Sequence, residues 1–222
     1  MYIDYSLIKN YNYPYFISLL FTNKVHYTQI AQFCYFISEL EAIRVKTSET
    51  TLAFIRLTWW REAIKAIYQN NLDALKSPST ESLKEIITTN KLEEKDLINI
   101  IELYSTIFDP ENKDNKEKID NGFTSILNII SQIYKYKLHT TIPQSLAFAW
   151  LHGINPSNLY SKDEMKFHIK NLRTNNSILK KLPYKIDFLS NLIVCSIHLL
   201  KNHNFKNHKL LLLFKLALNK LL

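Results

Sequence analysis

The chain has 222 residues and a mass of 26.2 kDa, which suffices for one domain with a substantial core. Hydrophobic residues make up 46% of it, which excludes a disordered chain, and two glycines are too few for a turn-rich sheet protein or a glycine-rich phosphate loop. The net charge of +8 favours an anionic partner, either a phosphorylated ligand or a membrane surface. A nucleic-acid partner is not expected, because the sequence has no compact basic tract interleaved with aromatic residues that could stack on bases.

Apolar spacing predicts a series of helices joined by short polar segments. Ser48 is the expected N-cap of the third helix, and Ser77–Thr80 forms an expected stop-and-restart signal. Asp109–Asp120 is expected to be a charged loop. The expected helices cover residues 13–21, 28–45, 48–70, 81–89, 92–108, 123–138, 143–151, 162–182, 186–201 and 208–222.

These elements predict an all-α helical bundle. The sequence shows no repeat and no second domain, so residues 1–222 are expected to form a single domain. The third helix is expected to bury a wide apolar stripe. This stripe contains Leu52, Ile55, Trp59, Trp60, Ala63, Ile64 and Ile67.

The cysteines and the apolar runs indicate the compartment. Cys34 and Cys195 lie among apolar residues, which predicts buried free thiols in a reducing compartment rather than a disulfide or a zinc site. The N-terminus has no charged segment followed by an apolar one, so no signal peptide is expected. No apolar run reaches the roughly 20 residues that span a bilayer. The expected location is the cytoplasm, with peripheral attachment to the inner face of the membrane.

The run Glu39–Ile64, ELEAIRVKTSETTLAFIRLTWWREAI, combines an acidic pair, three arginines and a double tryptophan. Folded as two antiparallel helices, it would bring together arginines that bind phosphate oxygens, carboxylates at the spacing that can hold Mg²⁺, and aromatic side chains that line an apolar cavity. A simpler interpretation, which the residues alone favour, is a structural salt bridge from Glu41 to Arg44 or Arg56, with the tryptophans in the core. The candidate diphosphate- or ligand-binding residues are Tyr35, Glu39, Glu41, Arg44, Arg56, Trp60 and Arg61.

This run resembles the squalene/phytoene synthase family, and most of all the branch that includes NADH dehydrogenase (respiratory complex I) assembly factors. That branch carries a pattern like F-x-x-E-L-x-x-I/V-R, then S-E, then I/M-R-L-x-W-W-R-E/D-A. The likeness is clear over residues 13–70 and weak elsewhere. The matching positions are Phe36, Glu39, Leu40, Ile43, Arg44, Ser48, Glu49, Ile55, Arg56, Leu57, Trp59, Trp60, Arg61, Glu62 and Ala63.

The resemblance implies the isoprenoid synthase fold, in a shortened form. Active members join two prenyl diphosphates head to head, using Mg²⁺ held by two motifs like D-x-x-x-D. Here Glu41 takes the place of the leading aspartate and Val45 that of the last, and no D-x-x-x-D occurs in the sequence. Because valine cannot bind a metal, we expect no catalytic residues, no metal and no cofactor.

Three hypotheses follow from the resemblance and its departures. The first is a catalytically degenerate protein that binds a prenyl-diphosphate ligand, or a membrane-surface or protein partner, in respiratory-complex assembly near the membrane. The alternative is a divergent prenyl-diphosphate transferase that condenses farnesyl or geranylgeranyl diphosphate with Mg²⁺, using Glu39 and Glu41 in place of aspartates. The third is a decayed gene product, since the composition rich in Lys, Asn, Ile and Leu indicates an AT-biased genome.

Overall fold

The computed structural model describes residues 3–71, 76–109, 115–136, 142, 145–147, 149, 162–180 and 187–202. Every regular element within these residues is helical, which confirms the all-α class. None of the described helices is long and apolar enough to cross a bilayer. The helices are α1 (Tyr5–Tyr11), α2 (Tyr13–Leu19), α3 (Lys24–Lys46), α4 (Thr50–Tyr68), α5 (Pro78–Asn90), α6 (Glu94–Phe108), α7 (Lys116–Tyr134), α8 (Lys162–Lys180) and α9 (Asp187–Asn202).

Helix α5 begins where the sequence predicts a stop-and-restart signal. The backbone N–H of Thr80 donates to Oγ of Ser77 at 3.2 Å, and the Thr80 hydroxyl accepts from the backbone N–H of Ser77 at 2.8 Å. These two bonds form a capping box, and Pro78 occupies the first turn, where its missing N–H costs nothing.

Several helix boundaries differ from the prediction by a few residues, and two of these differences concern the caps. Helix α4 begins at Thr50 with Glu49 as its N-cap, so the prediction of Ser48 at that position is wrong. Helix α7 begins at Lys116, inside the segment expected to be a charged loop. It begins there because the side chain of Asn115 caps the helix. The charged composition of this segment is typical of a loop and therefore gives no indication of the cap.

Helix α1 is absent from the prediction, although its start has a recognisable signal. The side chain of Asp4 accepts a hydrogen bond from the backbone N–H of Leu7 at 3.0 Å, as an N-cap does. The helix predicted over residues 208–222 lies outside the described residues, and the one predicted over 143–151 lies largely outside them.

The contacts divide the chain into two compact units. The first unit lies within residues 1–16 and 28–138, and the second within residues 17–27 and 139–222. In the first unit, α4 packs against α6 and α6 packs against α7 through their buried apolar faces. The Nε2 amide of Gln32 on α3 also donates to the Glu85 carboxylate on α5 at 2.8 Å. All of the candidate ligand-binding residues belong to this unit.

Helix α4 buries only part of the expected apolar stripe. Trp60, Ala63, Ile64 and Ile67 are buried as predicted, whereas Leu52, Ile55 and Trp59 are exposed. The buried side is completed by Ala53 and Leu57, which lie at helical spacing from Trp60. The stripe is therefore rotated toward Leu57, and Leu52, Ile55 and Trp59 form a second apolar line on the outer side of the helix.

In the second unit, α8 packs against α9 and makes hydrogen bonds to α9 and to Ser145. The amide of Asn171 donates to Oγ of Ser145 at 2.8 Å, and Ser145 also contacts Nδ1 of His168 at 3.1 Å. The hydroxyl of Ser190 on α9 donates to the Asn176 amide oxygen on α8 at 2.6 Å. Hydrogen bonds thus hold α8 in place, together with its few buried apolar side chains.

The two cysteines are buried free thiols, as predicted. Burial raises the pKa of Cys195 to about 12, and its Sγ lies 3.8 Å from Oγ of Ser18 within the second unit. Burial likewise raises the pKa of Cys34 well above the ordinary thiol value. Both thiols are therefore protonated and unreactive at neutral pH.

Candidate functional site

A partly open groove of about 270 Å³ lies between α1, α3 and α4 in the first unit. Apolar and polar surface share its wall about equally, and one carboxylate and two cations lie among the aliphatic and indole groups. The lining residues are Leu7, Glu39, Ala42, Ile43, Lys46, Arg56, Trp59 and Trp60. The groove therefore combines apolar and charged surface, as sites for amphiphilic ligands do.

The two cations of the groove come from α3 and α4. Arg56 donates one hydrogen bond from Nη1 to Oγ1 of Thr47 at 3.3 Å, which positions its guanidinium at the start of α4. Because a guanidinium has five N–H donors, this one bond leaves others for an anion. Lys46 holds its ammonium 4.7 Å from the centre of the Tyr11 ring, a cation–π contact that keeps it at the last turn of α3.

The two indoles differ in exposure. Trp60 is only 3% exposed and packs edge-on against Phe36, with the ring centres 5.2 Å apart. Trp59 is 37% exposed and meets Trp60 edge-on at 5.2 Å. Trp60 thus fixes the α3–α4 contact, and Trp59 presents indole surface to a ligand or to solvent.

Glu39 is the carboxylate of the groove. Burial raises the pKa of its side chain above the ordinary value of 4.5, while a hydrogen bond with Tyr35 and the charge of Lys46 oppose the shift. Tyr35 is buried and contacts Glu39, so this candidate residue acts on the groove only through Glu39.

Glu41 and Arg44 lie together, one turn apart on α3. Nε of Arg44 donates to Oε1 of Glu41 at 2.7 Å, and Glu41 is only 5% exposed. Oε2 of Glu41 is also buried, and the Tyr104 hydroxyl forms a hydrogen bond with the Glu41 carboxylate. Burial raises the pKa of Tyr15 and of Tyr104, and the charge of Glu41 adds to both shifts, so these phenols remain neutral beside the carboxylate.

Arg61 faces a different neighbour from Arg56. Its guanidinium pairs with the carboxylate of Glu102 on α6, and Lys118 on α7 approaches the other oxygen of Glu102 at 3.6 Å. Arg61 is not among the residues that line the groove. Arg61 therefore ties α4 to α6, and Lys118 links α7 to the same carboxylate.

Glu41 is the residue at which the resemblance would place a magnesium ligand. One of its oxygens is bound by Arg44, and Val45, at the position of the last acidic ligand, is an exposed apolar side chain. Mg²⁺ requires several oxygen ligands in octahedral geometry, so these two positions do not fit a magnesium cluster. The prediction that the protein has no cofactor remains a prediction.

The candidate residues fall into three groups. Glu39, Arg56 and Trp60 line the groove, with Tyr35 behind Glu39. Glu41 and Arg44 form a partly buried ion pair, and Arg61 joins α4 to α6. Sequence reasoning did not assign Leu7 or Lys46 to the site. The N-cap at Asp4 indicates α1 and therefore Leu7, whereas Lys46 lies just beyond the predicted helix 28–45, where no local signal assigns it to a site.

Comparisons of the chain with family models, with curated proteins and with solved structures find no match.

The Glu41–Arg44 pair predicts an asymmetric response to mutation. Replacing Arg44 with methionine leaves a buried carboxylate without its partner and should lower the free energy of unfolding by about 3 kcal/mol. Replacing Glu41 with leucine should cost less, because the Arg44 side chain is 24% exposed and can reach water. Urea unfolding of both single variants and of the double variant measures the coupling. Single-variant losses that simply add in the double variant would contradict the pairing.

The raised pKa of Glu39 predicts a pH-dependent stability. The folded state binds this proton more tightly than the unfolded state, so the contribution to stability is complete below pH 4.5 and is lost as the pH rises through the folded pKa. The wild-type protein should therefore lose stability relative to Glu39→Gln as the pH rises from about 4 to about 7. Melting temperatures of both proteins across this range test the prediction. A constant or opposite difference would contradict it.

Proposed function

We propose that the protein is a squalene/phytoene synthase-like protein with a shortened isoprenoid synthase fold, and that it binds an amphiphilic anion without performing synthase chemistry. The observation that carries the proposal is the groove, in which Arg56 and Lys46 lie beside the indoles and the aliphatic side chains of α1 and α3. A prenyl diphosphate has matching chemistry, with an anionic head and an apolar chain.

The placement of charge in the groove suits such a ligand. Arg56 would bind the diphosphate oxygens through its remaining donors, and Lys46 would add a second positive charge. The first isoprene unit would then pack along Leu7, Ile43 and Trp59. About 270 Å³ is at the small end for ligand sites, so the rest of the chain would extend through the open side of the groove.

The state of the acidic residues supports binding rather than turnover. Ionisation of a prenyl diphosphate requires strong neutralisation of the charge that develops on the leaving group. Glu41 stands at the first acidic position of the motif and forms an ion pair with Arg44. Val45 stands at the last acidic position and cannot bind a metal. In this proposal the protein acts as a binding or assembly factor, with respiratory-complex assembly near the membrane as the role suggested by the resemblance.

One observation favours the alternative, a divergent Mg²⁺-dependent prenyl transferase. Glu39 and Arg56 line the same groove, as that hypothesis requires of an acid and a diphosphate-binding arginine. Incubation of the protein with farnesyl or geranylgeranyl diphosphate and Mg²⁺, followed by extraction of the products, separates the two functions. A head-to-head product would establish the transferase and refute the non-catalytic proposal.

The groove predicts which arginine affects ligand binding. Binding of farnesyl diphosphate should quench the fluorescence of Trp59, and Arg56→Gln should weaken the apparent affinity about tenfold, because a charged hydrogen bond to phosphate is lost. Arg61→Gln is the matched control: it removes the same charge from the same helix, but its guanidinium is held by Glu102. Its affinity should stay close to that of the wild type.

Two results would contradict this site. If Arg56→Gln and Arg61→Gln weaken binding equally, the effect is one of net charge and the groove is not the binding site. If farnesyl diphosphate and inorganic pyrophosphate bind with the same affinity, the apolar wall contributes nothing and the ligand is not amphiphilic.

A further inference from the structure

Helix α8 in the second unit carries a stripe of cations on its exposed side. Lys166, Lys170, Arg173 and Lys180 are spaced by four, three and seven residues, which places them on one face of the helix. All four are exposed. We call this set the α8 cationic stripe.

Two large apolar side chains lie beside the α8 cationic stripe and are exposed to solvent. Phe167 is 64% exposed and Ile178 is 54% exposed. They are eleven residues apart, about three helical turns, so they follow one line along the helix, at the edge of the stripe. The exposed side of α8 is therefore both basic and apolar.

The opposite side of α8 accounts for the orientation of the helix. Leu172 and Leu179 are buried there, and Asn171 and Asn176 make hydrogen bonds to Ser145 and Ser190. These contacts fix which side of the helix is exposed.

We propose that this exposed side of α8 docks on the surface of an anionic lipid bilayer. A helix that lies in the bilayer interface needs cations to contact the lipid headgroups and bulky apolar side chains to enter the acyl boundary. The α8 cationic stripe provides the first and Phe167 and Ile178 provide the second. The inference goes beyond the proposed function, because it concerns the second unit and needs no ligand in the groove.

The charges on α8 are complementary to this partner. Its described side chains include the four cations of the stripe and two anions, Asp163 and Glu164, so the cations exceed the anions by two. Asp163 pairs with Lys166 at 3.1 Å in full solvent exposure, where such a pair is weak. Among the described residues, Lys170, Arg173 and Lys180 have no ion-pair partner.

The exposed apolar pair favours a bilayer over a nucleic acid. Non-specific binding to a nucleic-acid backbone depends mainly on cations and needs no apolar side chain, and base stacking uses aromatic rings placed along a groove. The isoleucine beside the stripe has no ring to stack, whereas the acyl boundary of a bilayer accepts aliphatic and aromatic side chains alike.

Co-sedimentation of the full-length protein with lipid vesicles tests the proposal. The wild type should bind vesicles of phosphatidylcholine mixed with phosphatidylglycerol, should not bind vesicles of phosphatidylcholine alone, and should bind less as salt is raised. Each Lys or Arg at the surface contributes about fivefold to binding, so Lys170→Gln with Arg173→Gln should weaken it about 25-fold. Phe167→Ser should lower the vesicle binding that remains at high salt, because this binding comes from apolar contacts rather than from charge.

The matched control carries the same change of charge elsewhere. Lys84→Gln with Lys95→Gln removes two exposed lysines from α5 and α6 and should leave vesicle binding close to that of the wild type. Circular dichroism melts of each variant confirm that the fold is retained. Arg56→Gln should bind vesicles normally, which separates this test from that of the groove.

Three outcomes would overturn the proposal. The first is no binding of the wild type to the anionic vesicles, and the second is an equal loss in the α8 variant and the matched control. The third is a DNA or RNA oligonucleotide that binds through Lys170 and Arg173 while the vesicles do not bind.

Discussion

The ion pair between Glu41 and Arg44 is the constraint on which the candidate site depends. A carboxylate that is almost fully buried on α3 requires a compensating charge, and Arg44 provides it from the next turn. Tyr15 and Tyr104 remain neutral beside it because burial and the charge of Glu41 raise their pKa values. Glu41 and Arg44 of the motif are thereby committed to each other. Glu39, Lys46 and Arg56 are the charged residues that line the groove.

This distribution of charge explains how one short run of sequence both holds helices together and lines the groove. Arg61 is engaged by Glu102 and joins α4 to α6, whereas Arg56 makes a single bond to Thr47 and retains donors. The neighbouring tryptophans divide in the same way, with Trp60 in the core and Trp59 partly exposed. In the account proposed above, the groove retains residues that bind the anion in a synthase site and lacks the acidic residues that bind the metal there.

The sequence predicted the helices well and the faces of the helices less well. Apolar periodicity places most helices within a few residues of their ends, but it does not reveal caps such as Asn115, which extends α7 into an apparently charged loop. It also cannot decide which side of a broadly apolar helix is buried, so Leu52 and Ile55 were assigned to the core although they are exposed. The partners of the arginines depend on packing between helices distant in sequence, as with Arg61 and Glu102, and no local pattern encodes that choice.

The central claim, that the groove binds a prenyl diphosphate without needing a metal, is tested most directly by calorimetric titration of farnesyl diphosphate with Mg²⁺ and again with EDTA. The account predicts the same dissociation constant in both buffers and no release of pyrophosphate. Binding that requires Mg²⁺, accompanied by release of pyrophosphate, would contradict it.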